Sequence, residues 1–275
     1  MVYRSIALSL IAIAAGGLFG NRDEPARGPR SQTPAARVEA EQTQSIDSLS
    51  AFERKRMAWP EDRKIFLDAA NEAWAFVEGN YQPATGLISP IPGYTYATIW
   101  DIGSMIEALY SAHGLGLIDD ARYAARIDAI LSTLLRVRLS DNRVFNKTYD
   151  TRTGTMPAAD GGRAGVAGGW SATDLGRLLI WLKIVGTGGA FDRKAEAVVR
   201  RIDFNAVVKS GYLWGANRDS AGRLNSYLEG HIGYEQYAAR GFALWGHRAE
   251  KALSLKENAL PISVMRQPLI ADFRR

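Results

Sequence analysis

The chain has 275 residues, of which 47% are apolar and 10% aromatic, so it can bury a substantial core and is not a disordered protein. It contains no cysteine, which excludes disulfides, thiolate metal sites and thiol nucleophiles. The net charge of +5 comes from 34 basic and 29 acidic residues without a dense basic run, so we do not expect nucleic-acid binding.

The amino-terminal segment predicts export. In residues 1–20 an arginine precedes an apolar run that is short for a membrane span and typical of a signal peptide. An uncleaved membrane anchor is the alternative, because no clean small-residue cleavage pattern follows the run. Both interpretations predict a periplasmic or secreted protein, anchored to the inner membrane in the second case. Residues 21–50 are polar and proline-containing, and they predict a disordered tether.

Residues 51–275 predict one helical domain, because every strong apolar periodicity there is near 3.6 residues. Helix starts are expected near Pro60, Thr98, Asp119, Ser171, Arg193 and Tyr234. Turn-rich segments with Gly, Pro, Tyr and Trp follow alternate helices, so the connecting loops should gather at one end of paired helices. We therefore expect an all-α fold without a large β-sheet.

Two helix starts carry an acid three residues after a hydroxyl, the spacing of a capping box. These pairs are Thr98 with Asp101 and Ser171 with Asp174. Such an acid can simply satisfy backbone N–H groups at the positive end of the helix dipole. We favour that structural role for Asp174. For Asp101 a functional role is equally plausible, because aromatic residues precede it.

The segment Tyr227–Gly246 mixes two acids, Glu229 and Glu235, with tyrosines and glycines. Carboxyls for proton transfer beside rings that stack on sugars are what a glycan-cleaving site needs. We expect Glu235 or Glu229 to be the catalytic acid and Asp101 its partner. The alternatives are a helix-start role for Glu235 and a solvated loop position for Glu229.

A metal site is not expected, although His231 stands four residues before Glu235. One histidine and one glutamate do not make a zinc site, and the other two histidines lie far away in the sequence. The sequence predicts neither a metal nor a cofactor.

Several aromatic residues stand at helix starts or in turn-rich segments, where a ring can reach a cleft and bind substrate. Those at which we expect a glycan to stack are Trp100, Trp170, Trp214, Tyr94, Tyr96 and Tyr234. Tryptophans within helical apolar stripes are instead expected in the core.

Four ordered motifs resemble the bacterial DUF3131 family (domain of unknown function 3131). They read TIWDIGS from Thr98, NKTYDTRTG from Asn146, GWSATDLGRLLIWLKI from Gly169 and YLEGHIGYEQYAARGFALWG from Tyr227. The family is similar to glucoamylase-like proteins of the (α/α) toroid type, some of which are implicated in β-glucan hydrolysis. The resemblance implies an envelope protein with a toroid-like fold and a cleft lined by acidic and aromatic residues.

The chain departs from the family pattern in its length, because family members continue beyond the FALWG segment, so we expect an incomplete toroid. The leading hypothesis is an envelope protein that acts on a β-glucan-like polysaccharide, with hydrolysis by a pair of carboxylates. The alternative is a noncatalytic glycan-binding or scaffold protein, a truncated relative that needs the rings but not the acids.

Overall fold

The computed structural model describes residues 60–157, 168–219, 221–256 and 258–272. The expected signal peptide or anchor at residues 1–20 and the tether at 21–50 lie outside the described residues. Within the described ranges, no helix combines the length and apolar character needed to cross a membrane.

Eight helices occur in the described part of the chain. They are α1 (Pro60–Gly79), α2 (Ile99–Gly114), α3 (Asp120–Arg136), α4 (Ala172–Gly186), α5 (Asp192–Val199), α6 (Phe204–Val207), α7 (Tyr234–Ala243) and α8 (Glu250–Leu253). Thr98, Asp119 and Ser171 are the N-caps of α2, α3 and α4, and the side chain of each accepts a hydrogen bond from the first turn. These predicted helix starts are confirmed.

The same residues contain ten short strands. They are β1 (Tyr96–Thr98), β2 (Leu139–Ser140), β3 (Val144–Phe145), β4 (Thr148–Asp150), β5 (Gly169–Trp170), β6 (Val208–Lys209), β7 (Tyr212–Arg218), β8 (Leu224–Leu228), β9 (Ala259–Val264) and β10 (Gln267–Asp272). Strands β5, β7, β6 and β8 form one four-stranded sheet, with β7 pairing to the other three. The remaining strands form antiparallel pairs: β1 with β4, β2 with β3, and β9 with β10.

The expected absence of a large sheet is therefore wrong, whereas the predicted helices are present. The sheet was missed because its strands lack a regular alternation of apolar and polar residues. Strand β8 reads LNSYL and is largely exposed, so no apolar face marks it. Pairing nevertheless satisfies backbone groups that a loop would leave to water. The (α/α) toroid-like arrangement of the helices stays a prediction.

Helix α4 is the central helix of the described domain and packs against α2, α5 and α7. Its leucines at positions 175, 178, 179 and 182 are almost fully buried. Burying a leucine side chain stabilises the fold by about 1.5–3 kcal/mol relative to exposure. This packing fixes the position of the amino-terminal end of α4.

Helices α4 and α7 cross at a contact formed largely by backbone atoms. A Cβ atom on Gly176 would lie 2.5 Å from Cα of Ala238, and one on Gly241 would lie 2.1 Å from the carbonyl oxygen of Gly176. Real Cβ atoms do not approach other atoms so closely. The two backbones can therefore touch only because both positions are glycine.

Backbone hydrogen bonds join the starts of α2 and α4. The N–H of Ile99, the first residue of α2, donates to the carbonyl of Lys147 at 3.0 Å. The N–H of Lys147 donates in turn to the carbonyl of Gly169, in the strand before α4, also at 3.0 Å. The acids in the first turns of α2 and α4 are thus held on either side of Lys147.

Candidate active site

Asp174 is the third residue of α4. The hydroxyl of the N-cap Ser171 accepts a hydrogen bond from the Asp174 N–H at 3.1 Å. In the described structure the reciprocal bond, from the Ser171 N–H to the Asp174 carboxyl, is not formed. The carboxyl is therefore not committed to a capping box, contrary to the structural role that the spacing favoured.

The pKa of Asp174 is strongly raised. Burial, together with the negative charges of Glu229 and Asp101, raises it from its ordinary value of 3.8 to about 7. The hydrogen bond from Ser171 and the positive charge of Lys147 lower this pKa and only partly offset the burial. The side chain retains some accessible surface although protein surrounds most of it. At neutral pH such a group is about half protonated and can donate a proton.

Glu229 follows strand β8 and reaches the first turn of α4. Its Oε2 accepts a close hydrogen bond from the N–H of Ala172, and its Oε1 accepts one from the hydroxyl of Thr173 at 3.3 Å. The amino-terminal end of a helix favours a negative charge, so this position suits a carboxylate. A Cβ atom on Gly215 would lie 2.7 Å from Oε2, so a larger residue at this position of β7 would displace the carboxylate.

Lys147 and Tyr227 lie beside these two carboxyls. The Lys147 ammonium donates to the Tyr227 hydroxyl at 3.2 Å and to the Asn217 side chain. Burial lowers the pKa of Lys147, while the charges of Glu229 and Asp174 raise it. Burial, followed by the charges of both acids, raises the pKa of Tyr227, and its hydrogen bond to Glu229 adds to this effect. Tyr227 is therefore a neutral donor at physiological pH.

Asp101 forms the complete capping box of α2. Its Oδ2 accepts hydrogen bonds from the Thr98 N–H at 2.9 Å and the Thr98 hydroxyl at 2.8 Å. The Asp101 N–H donates back to the Thr98 hydroxyl oxygen at 3.1 Å. Asp101 therefore has a structural role in addition to its electrostatic effect on Asp174.

Glu235, which the sequence favoured as an acid, is fully buried with 0% exposure. The amide of Asn258 donates to its Oε2 at 3.5 Å. Gly230 packs against it with a φ of +141°, and a Cβ atom there would lie 2.8 Å from Cβ of Glu235. A carboxyl without accessible surface does not reach a glycosidic oxygen in this conformation. The structure thus does not support Glu235 as the catalytic acid.

Two of the expected substrate-binding tryptophans do not face the acids. Trp170 is only 1% exposed, and its indole N–H donates to the carbonyl of Trp214 at 3.1 Å. Pairing of β5 with β7 turns its ring into the core. Trp214 alternates along β7 with Gly215, which contacts Glu229, so its side chain lies on the opposite face of the sheet. Its indole N–H donates to the carbonyl of Lys209 at 3.2 Å.

Trp100 belongs to an aromatic group next to Asp101. Its ring centroid lies 5.7 Å from that of Tyr234 and 5.9 Å from that of Tyr237. Tyr234 is 61% exposed, so this group is open to solvent and can contact a ligand. The other two expected tyrosines, Tyr94 and Tyr96, are half-buried and pack edge to face at 5.8 Å in the segment before α2.

The guanidinium of Arg177 supports the Trp100 ring from the inside, at 4.6 Å from its centroid. The same guanidinium pairs with Glu107 and donates to the hydroxyls of Ser104 at 2.9 Å and Tyr237 at 3.2 Å. Burial raises the pKa of Glu107, and the charge of Arg177 lowers it. This ion pair links α2, α4 and α7 beneath the aromatic group.

Of the acids that the sequence favoured, Glu229 and Asp101 both act on the pKa of Asp174, whereas the sequence favoured only a structural role for Asp174 itself. The sequence-based interpretation also did not place Lys147 and Tyr227 at the site, since both stand in segments that read as loops. The available signal was the repetition of one pattern, a hydroxyl followed three residues later by an acid, at two helix starts. The pattern alone does not tell which of the two acids forms a complete capping box and which leaves its carboxyl available.

The comparisons with known proteins bear on the family. A solved structure from Bacteroides caccae ATCC 43185, described as a "putative glucoamylase", is similar to this chain with a TM-score of 0.49 and 16% identity. The similarity covers 72% of this chain and 53% of that one, so the chain spans about half the length of that structure. No curated protein matched. Residues 68–274 match the family described as "Protein of unknown function (DUF3131)". Since the match spans most of the chain, this protein belongs to the DUF3131 family.

Proposed function

We propose that this protein hydrolyses a β-glucan-like polysaccharide outside the cytoplasm, with Asp174 as the general acid. The observation that carries the proposal is the raised pKa of Asp174, about 7, next to the carboxylate of Glu229. A carboxyl with a raised pKa beside a second acidic residue is typical of acid–base catalysis.

In this mechanism Asp174 donates its proton to the glycosidic oxygen of the leaving group. Glu229 is the second carboxylate, which activates water or attacks the anomeric carbon. Its hydrogen bonds from Ala172 and Thr173 orient it at the start of α4. Lys147 and Tyr227 are positioning residues that complete the polar surroundings of the pair.

The aromatic group supplies the sugar-binding surface. Trp100 lies next to Asp101 in the chain, and the exposed Tyr234 extends the group toward solvent. Stacking of a sugar on these rings would place a glycosidic bond near the acids. Arg177 keeps the Trp100 ring in place from below.

The test is incubation of the purified protein with a panel of β-glucans and detection of released oligosaccharides. Asp174→Asn and Glu229→Gln should each lower the rate by about 10²–10⁴, the contribution of general acid–base catalysis. Glu196→Gln, an exposed acid on α5, is the matched control and should keep full activity. Full activity in Asp174→Asn would refute the assigned role.

Glycan binding without cleavage is a second candidate function, favoured by the exposure of Tyr234 beside Trp100. It predicts that wild type binds a β-glucan and releases no product. Asp174→Asn would then bind as tightly as wild type, whereas Trp100→Ala would bind more weakly. Affinity electrophoresis in glucan-containing gels distinguishes the two functions.

A further inference from the structure

A cavity lies on the other side of strand β7 from the acids. Its volume is about 1020 Å³, and its walls come from the end of α3, from β2 and from the turn after β4. Asn217 and Arg218 are neighbours in β7, so their side chains point to opposite faces. Asn217 binds Lys147 beside the acids, whereas Arg218 lines the cavity.

The walls of this cavity are strongly basic. Among the described residues, its lining contains one acid, Asp141, and four arginines, Arg136, Arg138, Arg152 and Arg218. Four arginines among the lining residues create a positive potential that attracts anions. We call this space the arginine cavity.

Two of these arginines are already paired. Arg218 forms an ion pair with Asp141 at 2.6 Å, and Arg152 forms one with Asp150 at 3.3 Å. The pKa of Asp150 is lowered, because hydrogen bonds from Arg152, Thr95 and Thr153 together exceed the opposing effect of its burial.

The other two arginines have no acidic partner within the described ranges. Arg136 donates to the hydroxyl of Thr133 at 3.3 Å, a neutral acceptor. Arg138 lies two residues further along and is exposed, like Arg136. In the part of the chain that the structure describes, these two arginines are thus available to an anionic ligand.

We propose that the arginine cavity binds a sugar that carries an oxyanion, a phosphate or a carboxylate, through Arg136 and Arg138. The planar guanidinium group binds both oxyanions through two parallel hydrogen bonds. The volume of about 1020 Å³ is at the upper end of the roughly 300–1000 Å³ of ordinary ligand pockets, so a sugar fits in it. This inference does not depend on hydrolysis at the acids.

The test measures binding of three probes to the full chain by calorimetry at low salt: glucose 6-phosphate, glucuronate and glucose. We expect at least one anionic sugar to bind and glucose not to bind. Binding of glucose 6-phosphate alone assigns a phosphate, and binding of glucuronate alone assigns a carboxylate. The double variant Arg136→Gln/Arg138→Gln should bind at least about tenfold more weakly, since each charged hydrogen bond contributes substantially.

Arg200→Gln removes an exposed arginine directly after α5, outside the cavity, and should bind like wild type. Asp174→Asn should also bind like wild type, because its side chain lies on the far side of β7. If the double variant does not fold, Arg138→Gln alone replaces it. Absence of binding to both anionic sugars overturns the proposal. So does unchanged binding in the arginine variant, or loss of binding in Asp174→Asn, which would move the ligand to the acids.

Discussion

The carboxylate of Glu229 binds the first turn of helix α4, and Asp174 belongs to that same turn, although the two residues are distant in the sequence. Glu229 accepts a hydrogen bond from the N–H of Ala172, and Asp174 is the third residue of the helix. The charge of Glu229 is, after burial, the largest cause that raises the pKa of Asp174. A change in the charge at position 229 should therefore shift the pKa of Asp174.

Opposite substitutions should therefore shift the pKa of Asp174 in opposite directions. Glu229→Gln removes a negative charge and should lower this pKa, whereas Lys147→Met removes a positive charge and should raise it further. Carbon-13 NMR of the Asp174 carboxyl, titrated from pH 3 to 9, measures both shifts. Lys209→Met, a lysine over the Trp214 ring, is the control and should leave the titration unchanged. Shifts of the same sign in both variants would contradict the proposed electrostatics.

The stability of the protein should depend on pH through Asp174. The folded pKa, about 7, lies above the unfolded value, so between about pH 4 and 7 the folded state binds more protons. The stabilising contribution of Asp174 is therefore complete below this range and lost as the pH rises through it. Asp174→Asn has no carboxyl to ionise, so it does not lose this stability as the pH rises. Relative to wild type, its free energy of unfolding should therefore be about 2–4 kcal/mol larger at pH 8 than at pH 4.5, which means that the variant gains stability relative to wild type as the pH rises. Urea denaturation at the two pH values measures this, and an equal difference at both would contradict it.

Breaking the buried ion pair of Arg177 and Glu107 should destabilise the fold. Both side chains are only 12% exposed. Arg177→Gln leaves the Glu107 carboxyl buried without its cation and should cost about 3–5 kcal/mol. Arg200→Gln breaks an exposed pair with Glu196 and should cost at most about 1 kcal/mol. Urea denaturation compares the two variants, and equal losses would show that burial of the pair is unimportant.

The contact between α4 and α7 should not tolerate a methyl group. Gly241→Ala places a Cβ atom 2.1 Å from the Gly176 carbonyl oxygen and should destabilise the protein by at least about 1–3 kcal/mol, the range for overpacked cores. Gly79→Ala, at the end of α1, meets no atom within 4 Å and should change stability by less than about 1 kcal/mol. Thermal unfolding of both variants gives the comparison. A Gly241→Ala protein as stable as wild type would mean that the helices separate freely.

The helix starts were predictable because they depend on local chemistry. Thr98, Asp119 and Ser171 each cap the turn that directly follows them, and this needs no other part of the chain. The four-stranded sheet was not predictable in this way. Strand β7 pairs with β5, which is distant in the sequence, and no apolar alternation in β8 announces the pairing.

The candidate site was predictable in its residue types and only partly in its positions. Asp101 and Asp174 have the same local pattern, but only Asp101 completes its capping box, and Asp174 also lies beside Glu229. Trp170 stands among glycines, which suggested an exposed ring, but pairing of β5 with β7 buries it. Burial depends on contacts between distant segments, so a local pattern does not determine it.

The chain between Glu229 and Glu235 turns at Gly230, whose φ of +141° favours glycine and whose missing side chain leaves room for Glu235. A library of random substitutions would therefore give this position the same profile as a catalytic residue: nearly every replacement would be lost under selection for function. Solubility would separate the two cases, because replacements at Gly230 would reduce the yield of folded protein while amide replacements of Asp174 would not. Sequence tolerance alone would thus overstate the number of residues that take part in the chemistry.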